Sequence, residues 1–258
     1  MMEQKTRIRY RRRGIYLLPN IFTTAAMFSG FYAVVAGMNG QFEKAAIAIF
    51  IAMILDGVDG RVARMTNTQS EFGAEYDSLS DMVSFGIAPA LVMYEWSLSS
   101  LVNVGWQWGK LGWLAAFIYT ACAAMRLARF NTQVGTADKR YFQGLPSPSA
   151  AAVIAGLVWV GVESGIVGAE IAKYTVLLVI SLGLLMVSNV LYYSFKDVHF
   201  KGKAPFFSIL IVVLVLALAA LDTSKAVLVV FGLYTLSGPV FSLFRKLRKL
   251  GRKKPTGG

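Results

Sequence analysis

The chain has 258 residues, of which 56% are hydrophobic, with a mean hydropathy of +0.56 and a net charge of +12. Apolar runs recur along nearly its whole length, more than a soluble domain of this size shows, so the composition predicts a polytopic membrane protein. Cys122 and His199 are the only residues of their types, which excludes an intramolecular disulfide and a cysteine-based zinc site. A histidine-ligated metal and a Ser-His-Asp triad are nearly excluded as well.

Eight apolar stretches approach or exceed the roughly 20 residues that an α-helix needs to cross a bilayer. They lie at residues 15–38, 42–62, 78–100, 110–131, 149–166, 173–194, 205–221 and 225–243. The first follows three arginines, as the apolar part of a signal peptide would, but it is too long and no clear cleavage site follows. We therefore predict an all-α transmembrane bundle of about eight helices with a basic tail at each end, residues 1–14 and 245–258.

The basic residues are divided unevenly between the two predicted sides of the membrane. With eight spans both tails share one side, and that side also holds every other Lys and Arg except Lys44, Lys110, Lys173 and Lys225. The asymmetry follows the positive-inside rule and predicts a protein of the cytoplasmic membrane with both termini in the cytoplasm. It accounts for the net charge without nucleic acid as a partner. The tails are topology signals, or they also bind anionic membrane lipids.

Four aspartates lie within 26 residues around the junction of the second and third predicted spans: Asp56, Asp59, Asp77 and Asp81. A carboxylate in the middle of a membrane helix costs roughly 2.5 to 3.5 kcal/mol, so four together need a compensating cation. Spacings of three and four residues place two carboxylates on one face of each helix end, and all four can converge. Oxygen ligands suit Mg²⁺, Mn²⁺ or Ca²⁺, and two such ions would clamp a phosphoryl group.

Small residues and one arginine lie among these aspartates: Gly60, Ala63, Arg64 and Gly73. The small residues would let a ligand approach the backbone closely, and the arginine supplies a positive charge for a phosphate. Together with the aspartates they match D-x2-D-G-x2-A-R-x8-G-x3-D-x3-D at every position, and the chain thereby resembles the CDP-alcohol phosphatidyltransferase family. Members of that family are integral membrane enzymes that use a divalent metal to displace CMP from a CDP-linked lipid with an alcohol.

The resemblance implies a role for each residue of this signature. Two metal ions would be bound by Asp56, Asp59 and Asp77, while Asp81 would complete the metal site and act as the catalytic base. The CDP-lipid would be bound by Asp56, Asp59, Gly60, Ala63, Arg64, Ser70 and Gly73. The six-helix core of the family would occupy residues 15–195, and the additional helix pair within 196–244 would be scaffold or the surface of a homodimer.

The signature does not identify the acceptor alcohol. The segments LPNIFT (18–23), FGIAPA (85–90), RLARFN (126–131) and FQGLPSP (142–148) resemble the membrane-embedded phosphatidylserine synthases of this family. That resemblance implies CDP-diacylglycerol as donor and L-serine as acceptor.

Four residues are then candidates to bind serine: Arg126, Arg129, Asn131 and Lys139. An arginine could bind the serine carboxylate through two parallel hydrogen bonds, although both arginines are also typical anchors at the membrane surface. Glycerol 3-phosphate, inositol phosphate and choline remain alternative acceptors. A cation transporter is a further alternative, since intramembrane aspartates mark ion pathways, but we find no inverted repeat in the sequence.

Overall fold

The structure is a computed structural model, and it describes residues 17–66, 68, 70–132, 141–193 and 222–252. Within these residues the chain forms α-helices joined by short turns, with one pair of three-residue strands. The helices are α1 (Leu17–Met38), α2 (Phe42–Thr66), α3 (Glu71–Asp81), α4 (Ala88–Trp96), α5 (Trp106–Thr132), α6 (Ser147–Glu163), α7 (Ala172–Val187) and α8 (Thr223–Arg252). The strands are β1 (Tyr141–Gln143) and β2 (Leu191–Tyr193), which pair antiparallel.

The predicted all-α bundle is confirmed, and one predicted span lies outside the described residues. The third predicted span, 78–100, corresponds to one unbroken helical segment in which α3, a π-helical turn at Met82–Ile87 and α4 follow one another from Glu71 to Trp96. The span at 205–221 lies outside the described residues, so the eight observed helices are not the eight predicted ones. The backbone of α8 continues to Arg252, so the first part of the predicted C-terminal tail is helical.

Three of the helical segments are long and apolar enough to cross a membrane: Pro19–Met38 in α1, Trp106–Thr132 in α5 and Thr223–Leu243 in α8. Large apolar side chains on the outer surface support this assignment. Phe28 of α1 is 68% exposed and Leu233 of α8 is 64% exposed. A surface of this kind is unfavourable in water and compatible with the acyl chains of a bilayer.

Buried small residues allow α1 and α2 to lie close together in an antiparallel pair. Ala33 and Ala36 of α1 and Ala45 and Ala52 of α2 are almost completely buried. Small residues of this kind are typical of interfaces between membrane helices, because they let the backbones approach. The pairing brings the beginning of α1 next to the end of α2, where the first two aspartates lie.

Two prolines free backbone carbonyls that tyrosine hydroxyls then satisfy. A proline within a helix lacks the N–H that would bind the carbonyl four residues earlier. Pro89 thus leaves the Phe85 carbonyl without that partner, and the buried Tyr119 hydroxyl donates to it at 3.0 Å. In α8, Pro239 does the same to the Thr235 carbonyl, which accepts from the Tyr192 hydroxyl at 3.0 Å. The π-helical turn before Pro89 therefore lies where a proline removes one helical hydrogen bond and a buried tyrosine hydroxyl replaces it.

A tight turn at Gly144 follows β1 and packs against the end of α7. This residue has φ +82°, and a Cβ atom there would clash with the Met186 carbonyl oxygen. The Gly144 N–H donates to the Val190 carbonyl at 2.8 Å, and the Leu145 N–H donates to the Leu185 carbonyl at 3.0 Å. Both the backbone conformation and the close approach require glycine here.

Candidate active site

The aspartates of α2 and α3 converge as the spacing predicts. One carboxylate oxygen from each of Asp56, Asp59 and Asp77 lies within 4.8 Å of the others. Two oxygens bound to the same ion at about 2.1 to 2.4 Å can be at most roughly 4.2 to 4.8 Å apart, so the three could bind one Mg²⁺ or Ca²⁺ with little movement. The all-oxygen donor set also suits such hard cations.

Asp81 lies at the end of α3, outside this group of three but close enough to Asp56 and Asp77 for their charges to interact. Its Oδ1 atom is buried and has no hydrogen-bond partner among the described residues. A buried acceptor of this kind needs a partner, so it is consistent with the predicted completion of a metal site by Asp81.

Helix α1 contributes a residue to the site that the sequence analysis did not assign. The Thr23 hydroxyl donates to Asp59 Oδ2 at 2.6 Å, and both side chains are only 4% exposed. The Ser80 hydroxyl donates to the Thr23 carbonyl at 3.1 Å, which fixes α1 against α3. The only indication in the sequence that Thr23 belongs to the site is its place in segment 18–23, which contributes to the family resemblance.

A cavity of about 290 Å³ opens beside the aspartates, near the lower end of the roughly 300 to 1,000 Å³ common for small-molecule sites. Most residues predicted to bind the CDP-lipid line it, together with residues of α1. The predicted ones are Asp59, Gly60, Ala63, Arg64, Ser70 and Gly73, without Asp56, and the metal candidate Asp77 lines it too, with Asn20 and Thr23 from α1. The Ser70 hydroxyl accepts from the Gly73 N–H at 3.0 Å and thereby caps α3. A Cβ atom on Gly73 would lie 3.1 Å from that hydroxyl, so glycine keeps this wall open.

Arg126 is the predicted serine-binding residue that lies nearest the aspartates. Its Nη1 donates to the Ser147 hydroxyl at 2.7 Å, and its charge interacts with that of Asp81. Ser147 begins α6, so the end of α5 and the start of α6 together hold this guanidinium beside Asp81.

The other three predicted serine-binding residues have different surroundings. The Arg129 guanidinium donates to the carbonyls of Gln143 at 2.8 Å and Val187 at 3.1 Å, which ties the end of α7 to β1. The Asn131 amide donates to the Ser78 hydroxyl at 3.0 Å, so it anchors α3 next to Asp77. Lys139 lies outside the described residues.

Comparisons with known proteins identify the family. The family model for CDP-alcohol phosphatidyltransferase matches residues 16–173, more than half of the chain. The chain belongs to the CDP-alcohol phosphatidyltransferase family. This membership makes it a transferase, not a cation transporter, and with its apolar helices it is an integral membrane enzyme.

Curated relatives of this phosphatidyltransferase carry the name CDP-diacylglycerol--serine O-phosphatidyltransferase. The relative from Helicobacter pylori is 35% identical over 239 residues, which is 93% of this chain and 96% of the relative. That from Methanocaldococcus jannaschii is 34% identical over 164 residues, covering 64% and 71% of the two chains. That from Saccharomyces cerevisiae is 34% identical over 146 residues, covering 51% and 50%.

Proposed function

We propose that the chain transfers the phosphatidyl group of CDP-diacylglycerol to the hydroxyl of L-serine and releases CMP. The observation that carries this proposal is the convergence of three carboxylates within 4.8 Å beside a cavity lined by the family's signature residues. The names of the relatives support serine as the acceptor. The reaction is a step of phospholipid biosynthesis in the membrane.

The residues around the 290 Å³ cavity bind the cytidine and its diphosphate. Gly60, Ala63 and Gly73 leave room for the nucleotide against the helix backbones, and Arg64 lies where it can neutralise charge on the departing CMP. Asp56, Asp59 and Asp77, with Asp81, would bind two ions of Mg²⁺ or Mn²⁺, or Ca²⁺. When bound, these ions supply charge neutralisation for the diphosphate and for the leaving group.

Asp81 accepts the proton of the serine hydroxyl. Its place at the end of α3, close to the metal-binding candidates Asp56 and Asp77, supports this role, because a hydroxyl held near the metal site would lie within reach of its carboxylate. As the proton leaves, the serine oxygen forms a bond to the phosphorus that bears diacylglycerol. The bond from that phosphorus to the CMP oxygen breaks, and CMP departs.

Arg126 binds the serine carboxylate in this proposal. Its position beside Asp81 would place the serine hydroxyl near the base when the carboxylate contacts the guanidinium. Arg129 and Asn131 are positioning residues in this proposal and do not contact serine, because their hydrogen bonds hold the end of α7 and the side of α3. The predicted role of Lys139 stays a prediction.

The charge asymmetry of the sequence supports an active site that faces the cytoplasm, in the cytoplasmic membrane, with both termini on that side. The division into a core at 15–195 and an additional helix pair at 196–244 stays a prediction, as does a homodimer.

An acceptor panel tests the proposal. The purified protein is incubated with CDP-diacylglycerol, Mn²⁺ or Mg²⁺, and one labelled alcohol at a time: serine, glycerol 3-phosphate, inositol phosphate or choline. We expect labelled lipid and CMP in equal amounts with serine, and no product from the Asp59→Asn variant. Product with glycerol 3-phosphate and none with serine would contradict the proposed acceptor.

A further inference from the structure

A second and larger cavity, of about 1050 Å³, lies next to the nucleotide cavity. Its walls combine basic and apolar side chains from α2, β1 and α8. They include Arg61, Arg64, Phe142, Val230, Phe231 and Tyr234. Arg64 lines both cavities, so the two spaces adjoin at this side chain. One elongated molecule could therefore occupy both of them.

The larger cavity has a basic region and an apolar region. Arg61 and Arg64 are three residues apart at the end of α2, so they share a face of that helix, and both side chains are exposed. Val230 and Phe231 of α8 offer only hydrocarbon. A serine zwitterion gains nothing from such a wall, whereas an acyl chain packs favourably against it.

The part of this cavity that Tyr234 lines is close to the proposed reaction centre. Tyr234 interacts electrostatically with Arg126, which in turn interacts with Asp81. The Tyr234 hydroxyl donates to the Tyr193 carbonyl at 3.2 Å, and this bond holds the phenol ring at the cavity wall. A lipid in the cavity would thus extend from the aspartates toward α8.

We propose that the larger cavity binds the diacylglycerol part of the CDP-lipid, and that Val230 and Phe231 of α8 determine which acyl chains the enzyme accepts. The inference rests on the proposed function, in which CDP-diacylglycerol is the donor. Arg61, a variable position in the signature, contacts the phosphate nearest the lipid together with Arg64. The family model ends at residue 173, so α8 is an addition to the region it matches, and this addition forms part of the substrate site.

A larger side chain on α8 that fills part of the cavity tests this inference. Val230→Trp adds volume inside the cavity, and Val229→Trp is the matched control, because Val229 is 52% exposed and does not line the cavity. The measurement is equilibrium binding of CDP-diacylglycerol with two long or two six-carbon acyl chains, in detergent, with Mn²⁺ and without any alcohol. Thermal unfolding of each variant is measured in the same detergent.

We expect Val230→Trp to weaken binding of the long-chain lipid by about tenfold, as steric overpacking does, with much less effect on the short-chain lipid. If Val230→Trp binds the short-chain lipid as tightly as the wild type does, the variant is folded. If it is not folded, the smaller substitution Val230→Phe is tested instead. Equal effects of the Val230 and Val229 variants would overturn the inference. So would a loss of thermal stability in the Val230 variant with unchanged lipid binding, because protein atoms would then fill the space.

The binding assay contains no acceptor. If Val230→Trp weakens binding of the long-chain lipid as expected, but the wild-type protein does not use serine in the acceptor panel, the proposed function fails and this inference stands.

Discussion

Replacing Thr23 by valine removes the hydrogen bond that α1 provides to the aspartate cluster. Valine has nearly the shape of threonine, so the change deletes a hydroxyl and leaves the packing in place. The hydroxyl has one proton, and of its two acceptors the Asp59 carboxylate at 2.6 Å is closer than the Pro19 carbonyl at 3.1 Å. The stronger bond is therefore the one to the charged oxygen.

The size of the effect follows from burial. Thr23 and Asp59 are each 4% exposed, so little water can replace the lost donor. A hydrogen bond to a charged group contributes about 1.5 to 3 kcal/mol, which corresponds to roughly 10- to 150-fold in an equilibrium constant. Loss of a residue that orients a metal ligand typically lowers metal affinity or activity by about 10- to 100-fold. We therefore expect the half-saturating Mn²⁺ concentration to rise by at least about tenfold.

The assay is the initial rate of transfer as a function of Mn²⁺ concentration. Thr23→Ser keeps the hydroxyl and should restore most of the metal affinity. Ser29→Ala is the matched control on the same helix, because the buried Ser29 hydroxyl donates to the neutral Ala48 carbonyl at 2.8 Å. It should lower stability by about 1 kcal/mol and leave the metal dependence unchanged. The reasoning is refuted if Thr23→Val has the metal dependence of the wild type.

Three further predictions concern the residues around the site. Arg129→Gln should lower the Tm with little change in the KM for serine. Arg126→Lys should raise the KM for serine by about tenfold. The reverse pattern would show that Arg129 binds serine and that Arg126 has the structural role. Gly144→Ala should lower the Tm far more than Gly165→Ala. Both glycines have positive φ, so both alanine variants carry a backbone strain of about 1 to 2 kcal/mol. Only the alanine at position 144 would also meet a carbonyl oxygen. Tyr192→Phe leaves a buried carbonyl of α8 without its donor and should destabilise the protein by about 1 to 3 kcal/mol in unfolding measurements; a wild-type Tm would show that another group satisfies this carbonyl.

The convergence of the aspartates could be predicted because it depends on local geometry. Helical spacing of three and four residues places Asp56 with Asp59, and Asp77 with Asp81, on common faces. The turn between α2 and α3 is too short to separate the two pairs. The carboxylate cluster therefore follows from residues close together in the sequence.

The contribution of α1 could not be predicted in the same way. Thr23 and Asp59 are 36 residues apart, and their contact depends on how α1 and α2 pack. The same holds for Arg129, whose partners are carbonyls at the ends of β1 and α7. A basic residue at the end of a helix has the same sequence pattern whether it binds substrate or backbone.

The π-helical turn within the third span shows a limit of hydropathy. An apolar window records composition, and it does not show a local change in the hydrogen-bond pattern inside a helix. Pro89 was visible in the sequence, but only the packed structure shows that the Tyr119 hydroxyl of α5 donates to the Phe85 carbonyl.

The central claim is that one aspartate site binds the CDP-lipid and also removes the proton from serine. Asp81→Asn separates these two roles, since the amide keeps the shape of the side chain and cannot accept the proton as a carboxylate does. The measurement is transfer of labelled serine by this variant, alongside its affinity for CDP-diacylglycerol in the presence of Mn²⁺. The account predicts turnover below detection with lipid affinity within about tenfold of the wild type. A variant that forms phosphatidylserine at a rate near that of the wild type would contradict it.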